Sequence, residues 1–525
     1  MESPKKIKVA VIGSGLAGLS TAYLLSGNDQ YEAHLFEKGT KLGMDAASMS
    51  IGNQKDEFRV DVPMRSFMSG YYNHLVRLYD HLAIPSLAAK FSFGWYRIGS
   101  PNGTDTIQMP ADKLASHTSN TSHLVYSGSR TVGWIESAGP AAESVADYIT
   151  GWMMACWKMY VVATSYLYLM FMSLWLYHRG HLHNQQHPVF SMTLGRWFEH
   201  HHFHPYFIYE VFVPLFAAVC TNSWKSMLDY PAADILEYMA MGLFQESYVV
   251  SGGVRRVVDR LSAPLKHIHL ETQIVSIQPS TTPGYRLDLH DASGNIYSFH
   301  HVVFATQANQ ACRILRGCIE QLVNNNNNDS KAHQELLHDI QSSIRILQQF
   351  EYDRAVVVNH TDKRLLPDDP CYWRSLNLAS LDTSVQHTTT SDCIVPYPHD
   401  TTMTTHILNL THHSRFDNEA TLYMQTTNPC ISPDPAHVLS TSWFERATVT
   451  LESKRAILDG LFTPINTSDV RSLQLGRCQG PSGLWFVGSY SWPGIPLLEG
   501  CVASAEMVVT KGIAAEEQVP LVVPW

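Results

Sequence analysis

Three glycines near the start of the chain have the spacing that binds the phosphates of a dinucleotide. Gly13, Gly15 and Gly18 follow the apolar run 7–12 and precede a helical pattern. In such a strand–turn–helix unit, the first glycine allows the turn, the second lets a pyrophosphate approach, and the third lets helix and strand pack closely. The phosphates then lie at the positive end of the helix. The spacing predicts a dinucleotide site, and the alternative is an ordinary glycine-rich turn.

An acidic residue stands where a ribose-binding carboxylate is expected. Glu37 ends the next apolar run, 33–36, and lies 24 residues after Gly13. A carboxylate at this point accepts hydrogen bonds from the hydroxyls of an adenosine ribose. Strand, glycines, helix, second strand and acid occur in this order, which predicts an NAD(P)-binding type of Rossmann unit.

A second strand–turn–helix pattern lies near the other end of the chain. The apolar run 484–487 is followed by Gly488, and a helix of small residues begins near Gly500. The N-terminus of that helix would present backbone N–H groups and a positive dipole end to an electron-rich cofactor edge. Taken alone, this stretch is also compatible with an ordinary strand–turn–helix unit.

Length and composition are typical of a large globular protein. The chain has 525 residues, of which 45% are hydrophobic and 16% charged, enough for the cores of two or three domains. A net charge of −10 leaves no basic excess for binding nucleic acid, so no nucleic-acid partner is expected. The first residues lack the apolar segment of a secretory signal. Nine scattered cysteines without a C-x-x-C pair indicate reduced thiols and a cytoplasmic location.

Eight histidines between residues 178 and 204 raise the question of a metal site. They are His178, His181, His183, His187, His200, His201, His202 and His204. Histidine boxes beside an apolar helix would suggest a membrane di-iron desaturase, but the further boxes and spans of such an enzyme are missing. A solvated loop and helix end is the simpler interpretation, and no metal is expected.

Beyond the second strand, the chain resembles flavoproteins of the amine oxidase and phytoene desaturase superfamily. In that family the strand is followed by E-x3-R-x-G-G-R/H and then by a D-x-G segment. Glu37, Lys41 and Gly43 follow the first pattern, whereas Met44 replaces its second glycine and Pro63 replaces the glycine of the D-x-G segment. The resemblance is closest to a branch of flavoproteins with a predicted NAD- or FAD-binding domain.

The C-terminal pattern is similar to the closing flavin motif of the same family. There, a glycine at the end of the strand precedes an acid at the ribityl chain, and Glu-Gly begins a helix beneath the isoalloxazine ring. Gly488 matches the glycine, Ser489 replaces the acid, and Glu499 with Gly500 matches the helix start. Two half-sites at opposite ends of the chain imply FAD as the cofactor in place of NAD.

The cofactor contacts that the resemblance implies come from both ends of the chain and from two strands between them. They are Gly13, Ser14, Gly15, Leu16, Ala17, Gly18, Glu37, Lys38, Lys41, Met64, Arg65, Ile274, Ala305, Gly488, Ser489, Leu498, Glu499 and Val502. No catalytic side chain is assigned. His360 and Asp362 are conceivable as an acid–base pair, but alternation along a strand would equally place them on one face for packing.

Residues 159–177 form an uncharged run of 19 residues, long enough to cross a bilayer, with Trp and Tyr near its ends. A single crossing would place the two cofactor half-sites on opposite sides of a membrane. A buried or membrane-docking helix is therefore the first interpretation, and a span or hairpin is the alternative. Both imply an apolar substrate channel in a protein that is cytoplasmic or associated with the cytoplasmic side of a membrane.

The resulting prediction is an α/β flavoprotein, with a Rossmann-type FAD-binding domain and an interleaved α+β substrate domain, amine-oxidase-like in fold. The FAD-binding domain would comprise residues 1–70, 245–310 and 475–515, and the substrate domain 71–244 and 311–474, with an apolar helix at 151–177. The expected activity is that of an FAD-dependent oxidoreductase, in which the flavin accepts a hydride from a small-molecule amine or an apolar, lipid-like substrate. The alternatives are a catalytically degenerate FAD-binding protein and a membrane-associated interaction protein. Residues 99–132 are predicted to form strands and loops of a substrate-side insertion, and polar surface insertions are expected at 324–328 and 384–405.

Overall fold

A computed structural model describes residues 6–51, 58–98, 122–127, 131–136, 145–324, 331–367, 370–381, 401–411 and 421–525. The substrate-side insertion predicted at 99–132 and the polar surface insertions predicted at 324–328 and 384–405 lie largely outside these ranges. The described part of the first insertion belongs to a pair of strands, at 122–127 and 131–136.

The strands within the described residues belong to several sheets and are numbered in chain order. They are β1 (Ile7–Ile12), β2 (Tyr31–Phe36), β3 (Met49–Ile51), β4 (Phe58–Val60), β5 (Ser66–Met68), β6 (Ser86–Ala88), β7 (Ser92–Ile98), β8 (Ser122–Ser127), β9 (Thr131–Glu136), β10 (Ser247–Val250), β11 (His267–His269), β12 (Ile274–Pro279), β13 (Leu287–Asp291), β14 (Ile296–Phe299), β15 (His301–Phe304), β16 (Tyr352–His360), β17 (Leu376–Leu381), β18 (Met403–Ile407), β19 (Met424–Thr427), β20 (Val438–Ala447), β21 (Phe462–Asn466), β22 (Asp469–Leu475) and β23 (Leu484–Phe486).

The α-helices of the described residues range from single turns to one helix of 34 residues. They are α1 (Leu16–Ser26), α2 (Asn73–His81), α3 (Val145–His178), α4 (Leu194–His200), α5 (Val213–Cys220), α6 (Trp224–Asp229), α7 (Ala232–Gly242), α8 (Arg255–Ser262), α9 (Ala308–Asn324), α10 (Lys331–Leu347), α11 (Leu408–Thr411), α12 (Leu451–Ala456), α13 (Leu498–Met507) and α14 (Ala514–Glu516).

A five-stranded parallel sheet joins the two ends of the chain. Its strand order is β11-β2-β1-β15-β23, and Val9 pairs with His301 while Val302 pairs with Leu484. The strands are short apolar runs because both faces of the sheet are covered, and Val9 and Val302 are fully buried. The edge at which these parallel strands end carries the glycine turn after β1 and Gly488 after β23, so the two predicted half-sites meet there.

Helices α1, α8, α9 and α13 share a core with this sheet, and further sheets lie beside it. An antiparallel meander, β12-β13-β14, lies near the parallel sheet, and a mixed eight-stranded sheet has the order β20-β16-β19-β18-β17-β7-β8-β9. An apolar cluster formed largely by α4, α5, α7 and one face of α3 contacts the mixed sheet through Leu378 of β17 and Trp95 of β7. The Rossmann-type α/β fold predicted from the sequence is confirmed, whereas the predicted domain limits stay a prediction.

Helix α3 is long and apolar, and only one of its faces is packed. Its 34 residues correspond to a length of about 50 Å. Val161, Leu169 and Leu176 are buried in the cluster around α7, but only 28% of the most apolar window of the helix is buried. Within the described residues, it is the one helix that is long and apolar enough to cross a membrane by length and composition.

Candidate cofactor and substrate site

The three glycines of the turn after β1 have different surroundings: Gly13 and Gly18 are closely packed, and Gly15 is open. Gly13 has φ of +102°, and a Cβ atom there would lie 2.9 Å from the carbonyl oxygen of Ala305. A Cβ on Gly18 would lie 1.9 Å from the carbonyl oxygen of Gly13, so Gly18 allows α1 to approach the turn. A Cβ on Gly15 would meet nothing within 4 Å. The middle glycine therefore faces open space at the N-terminus of α1, where Leu16 and Ala17 begin the helix.

Glu37 is held in place by hydrogen bonds from the turn and from its own loop. Its Oε2 accepts hydrogen bonds from Ser14 N over 3.2 Å and from Ser14 Oγ over 2.5 Å, and its Oε1 accepts one from Gly39 N over 2.8 Å. Gly43 N donates to Ser14 Oγ over 2.7 Å. The network fixes a carboxylate at the end of β2, where a ribose would be bound.

The remaining residues predicted around the adenosine half of the cofactor lie in three segments of the chain. Lys38 and Lys41 are exposed in the loop after β2. Ile274 begins β12 just after Thr272, whose N–H donates to the carbonyl oxygen of Glu37 over 2.9 Å. Ala305 follows the last residue of β15 and donates its N–H to the carbonyl oxygen of Ile12 over 2.9 Å.

Met44, which replaces a glycine of the family pattern, has a left-handed backbone conformation. Its φ is +61°, in the left-handed region that glycine adopts most easily, and its side chain is buried. The preceding Gly43 lies so near the turn that a Cβ there would be 2.8 Å from the carbonyl oxygen of Ser14. The backbone at Met44 thus has a conformation that a glycine would adopt readily.

The C-terminal half-site contributes both cavity walls and structural contacts. Gly488 donates its N–H to Ser504 Oγ over 3.0 Å, and Ser489 and Leu498 line the cavity described below. The Glu499 carboxylate accepts the N–H groups of His74 and Leu75 over 2.8 and 3.0 Å, so it caps the first turn of α2.

Neither Glu499 nor Val502 is among the residues that line the cavity. Both are buried, with Val502 in the core beside the parallel sheet. Their assignment as flavin contacts stays a prediction.

One cavity of about 480 Å³ connects the two half-sites with the mixed sheet. At the cofactor end it is lined by residues from both ends of the chain, namely Gly15, Leu16, Met44, Met64, Arg65, Ser489, Leu498 and Cys501. Away from that end the walls are mainly apolar and include Phe91, Phe93, Leu215, Val219, Leu376 and Leu378. The geometry thus places an apolar chamber directly beside the predicted flavin position.

Two arginines line this cavity, and one of them could not be identified from the sequence. The pKa of Arg65 is lowered by burial, and that of Arg446 falls to about 10 through burial and the proximity of Arg65. His406 and Glu445 also line the cavity. Arg446 lies in no motif, and only the path of β20 brings it to the cavity.

His360 and Asp362, conceivable as an acid–base pair, serve packing and a turn. His360 Nε2 is paired with Thr426 Oγ1 over 2.7 Å, and the Asp362 carboxylate pairs with Arg364 over 2.7 Å. Burial lowers the pKa of His360 to about 4, whereas hydrogen bonds from Arg364 and from backbone N–H groups, opposed by burial, hold the pKa of Asp362 at about 2. Neither residue lines the cavity.

The histidines between 178 and 204 have separate partners. His183 pairs with Glu237 over 2.8 Å, His201 pairs with the hydroxyl of Tyr168 over 2.8 Å, and His181 stacks on His187. They are not grouped around a common point within the described part of the chain.

Comparison with known proteins agrees with this architecture. Residues 11–82 match the family model of an NAD(P)-binding Rossmann-like domain. No curated protein matches the sequence significantly. A putative protoporphyrinogen oxidase from Exiguobacterium sp. 255-15 has a similar structure, with a TM-score of 0.51 and 12% identity over 97% of this chain and 98% of the other.

Two further solved structures have similar folds. Cyclohexylamine oxidase from Brevibacterium oxydans IH-35A superimposes with a TM-score of 0.50 at 10% identity, over 98% of this chain and 100% of the other. A fatty acid isomerase from P. acnes that produces CLA superimposes with a TM-score of 0.51 at 10% identity, over 96% and 98%. The chain therefore has the amine-oxidase fold. This confirms the fold predicted from the sequence, and the likeness spans nearly the whole chain.

Proposed function

We propose that this protein is an FAD-dependent oxidoreductase that acts on an apolar small molecule. The observation that carries the proposal is the single cavity that runs from the glycine turn, past the N-terminus of α13, into an apolar chamber. This arrangement would place the reacting part of a cofactor against a substrate that is shielded from water.

The residues of the chain fit an FAD. The open space at Gly15 leaves room for a pyrophosphate at the N-terminus of α1, and the carboxylate of Glu37 is positioned for ribose hydroxyls. Ser489 and Leu498 would border the flavin end. When bound, FAD would supply a ring that accepts a hydride, and the chain's own residues would orient the substrate and exclude water.

The charges of the cavity favour an apolar substrate over a cationic amine. Arg65 and Arg446 both face the cavity, and Glu445 is the one carboxylate among its described lining residues. The Glu445 carboxylate already accepts a hydrogen bond from Asn309 Nδ2 over 2.7 Å. A protonated amine near two guanidinium groups would be repelled, whereas an aliphatic or unsaturated chain would fill the walls formed by Phe93 and Leu378.

We further propose that the protein docks on the cytoplasmic side of a membrane through α3. One face of α3 packs against the folded protein, while Trp152, Leu167 and Phe171 on its other side are 65%, 72% and 61% exposed. A helix held along one side in this way suits a position in the membrane interface better than a span.

The test is a visible absorbance spectrum of the purified full-length protein, followed by anaerobic titration with amines and with unsaturated lipids. We expect oxidised-flavin bands that bleach with an apolar substrate and not with a simple amine. Bands that no compound bleaches, when dithionite does reduce the flavin, would favour the degenerate FAD-binding alternative. A colourless protein that does not take up added FAD would contradict the proposal.

A further inference from the structure

We propose that Arg446 binds a carboxylate at one end of the substrate, which makes the substrate an apolar carboxylic acid. This inference rests on the proposed function and adds to it the chemical class of the substrate. It also assigns a specificity role to a residue outside both predicted half-sites.

Arg446 lies near the end of β20 with its guanidinium group at the cavity wall. Its Nε atom is buried and has no hydrogen-bond partner, and its guanidinium carbon lies 5.8 Å from the ring centroid of Phe444. Among the described residues, no carboxylate forms an ion pair with Arg446. A buried guanidinium without an anionic partner is costly, and a bound carboxylate would supply the missing charge and hydrogen-bond acceptors.

The groups with the strongest electrostatic effect on Arg446 carry no negative charge. Asp353, its partner on the neighbouring strand, accepts hydrogen bonds from Asn222 and Ser223 instead. The electrostatic neighbours of Arg446 are Arg65, Cys220, Cys501 and Tyr230. Burial raises the pKa of Cys220 to about 12 and that of Cys501 to about 11, so both thiols are neutral at physiological pH. The Tyr230 hydroxyl donates a hydrogen bond to Asn222 Oδ1 over 2.9 Å and carries no charge. With two arginines and one carboxylate, Glu445, among its described lining residues, the cavity has an excess of positive charge within a chain whose net charge is −10.

The two arginines lie close enough to affect each other, but they have different partners. Arg65 donates a hydrogen bond to the carbonyl oxygen of Met44 over 3.2 Å and lies in the field of Asp61 and Asp45, so it belongs to the cofactor end. Arg446 lies on the mixed sheet near Cys220, at the end of α5. This assigns Arg446 to the substrate and leaves Arg65 with the cofactor.

The remaining walls explain why the acid should be apolar beyond its carboxylate. Phe93, Leu215 and Leu378 line the chamber on the side of the mixed sheet and α5. A chain of methylene groups would be stabilised by its removal from water against these walls, while the carboxylate would be bound by the guanidinium. One end of the ligand would thus be fixed by charge and the other by apolar contact.

The test compares straight-chain carboxylic acids with the primary amides of the same chain lengths. Binding to the full-length protein is measured by isothermal titration calorimetry, which does not need a reducible cofactor, and the FAD content of every preparation is recorded. We expect the wild-type protein to bind the best acid at least tenfold more tightly than its amide, as a charge-assisted hydrogen bond implies. Arg446→Gln should abolish this preference and Arg446→Lys should retain part of it.

The control is Arg471→Gln, which removes an exposed arginine paired with Asp469 and should leave the preference unchanged. An acid-to-amide ratio in Arg446→Gln equal to that of the wild type would overturn the proposal. The proposal would also be overturned if Arg446→Gln changed only the FAD content or the flavin potential, because the guanidinium would then serve the cofactor. If the protein prefers acids but contains no FAD, the result would support the role of Arg446 in binding a carboxylate and would count against the proposed function.

Discussion

The Ser14 hydroxyl donates a hydrogen bond to Glu37 Oε2 over 2.5 Å and accepts one from the backbone N–H of Gly43 over 2.7 Å. One small side chain thus connects the glycine turn, the end of β2 and the loop that follows it. A carboxylate held in this way loses little conformational freedom when a ligand binds, so it is prepared to accept hydroxyl groups.

Replacing Glu37 by Gln should lower FAD affinity by about tenfold, because a charged acceptor of ribose hydroxyls becomes a neutral one. FAD retained after gel filtration, or the Kd from fluorescence quenching of free FAD, would show it. Glu32→Gln is the matched control, since Glu32 lies in the same strand and pairs with Lys8 and His34 instead. Equal FAD affinities in the two variants would count against the role of Glu37.

Replacing Gly13 by alanine should reduce stability, whereas replacing Gly15 by alanine should reduce FAD binding. Gly13→Ala places a Cβ 2.9 Å from the Ala305 carbonyl oxygen at a φ of +102°, and we expect it to cost about 1–3 kcal/mol of the free energy of unfolding. Gly15→Ala has open space and should leave stability nearly unchanged while reducing FAD binding, because its methyl group occupies the phosphate position. Urea denaturation and FAD content, measured on both variants, would separate the two effects.

The buried ion pair between Lys454 and Asp234 should be costly to break on one side. Lys454 Nζ lies 2.5 Å from Asp234 Oδ1, and both residues are buried. Lys454→Met should therefore reduce the free energy of unfolding by about 3–5 kcal/mol, whereas adding Asp234→Leu should recover much of the loss. A double-mutant cycle by chemical denaturation measures this. Additive losses in the cycle would show that the two charges are not coupled.

His360 should make the protein less stable in mild acid. Burial lowers its pKa to about 4, so between pH 6.5 and 4 the unfolded chain binds a proton that the folded chain excludes. The stability that the neutral imidazole permits at neutral pH is lost as the pH falls through this window. Between pH 7.5 and 5 the contribution is about 2 kcal/mol, and His360→Gln should remove it. Urea denaturation of both proteins at both pH values is the measurement, and an identical pH dependence would refute this assignment.

Removing apolar side chains from the exposed face of α3 should weaken membrane binding. We expect the triple variant Trp152→Ser, Leu167→Ser and Phe171→Ser to co-sediment with phosphatidylcholine vesicles at least tenfold less than the wild type, since large apolar side chains would no longer enter the interface. Phe244→Ser, at another exposed aromatic, is the control. Equal sedimentation of the triple variant, or wild-type protein that remains in the supernatant, would contradict docking through α3.

The parts of this fold that the sequence predicts are those in which neighbouring residues determine the geometry. Gly13, Gly15 and Gly18 belong to one turn, and Glu37 follows one strand, so spacing alone suffices. The strand ending at Gly488 could be paired with this turn only through family resemblance, because 475 residues separate it from Gly13.

Other features depend on contacts between distant segments and leave no local pattern. Arg446 has the pattern of an ordinary strand residue until β20 is placed against the cavity. Glu499 fits a cofactor motif, yet its carboxylate caps α2, more than 400 residues earlier. Met44 departs from the family pattern, but its φ of +61° is one that a glycine would adopt readily. In each case tertiary context determines the role of the residue.

The parallel sheet also has a consequence for biosynthesis. β23 joins the sheet beside β15, and the chain between them contains about 180 residues that must leave the ribosome first. Until then β15 is an unprotected edge, and the cofactor cavity lacks the wall formed by Ser489 and Leu498. A nascent chain released early would have the glycine turn and Glu37 without a closed site. We therefore expect loading of the cofactor to be a late event, which truncation just before β23 should abolish.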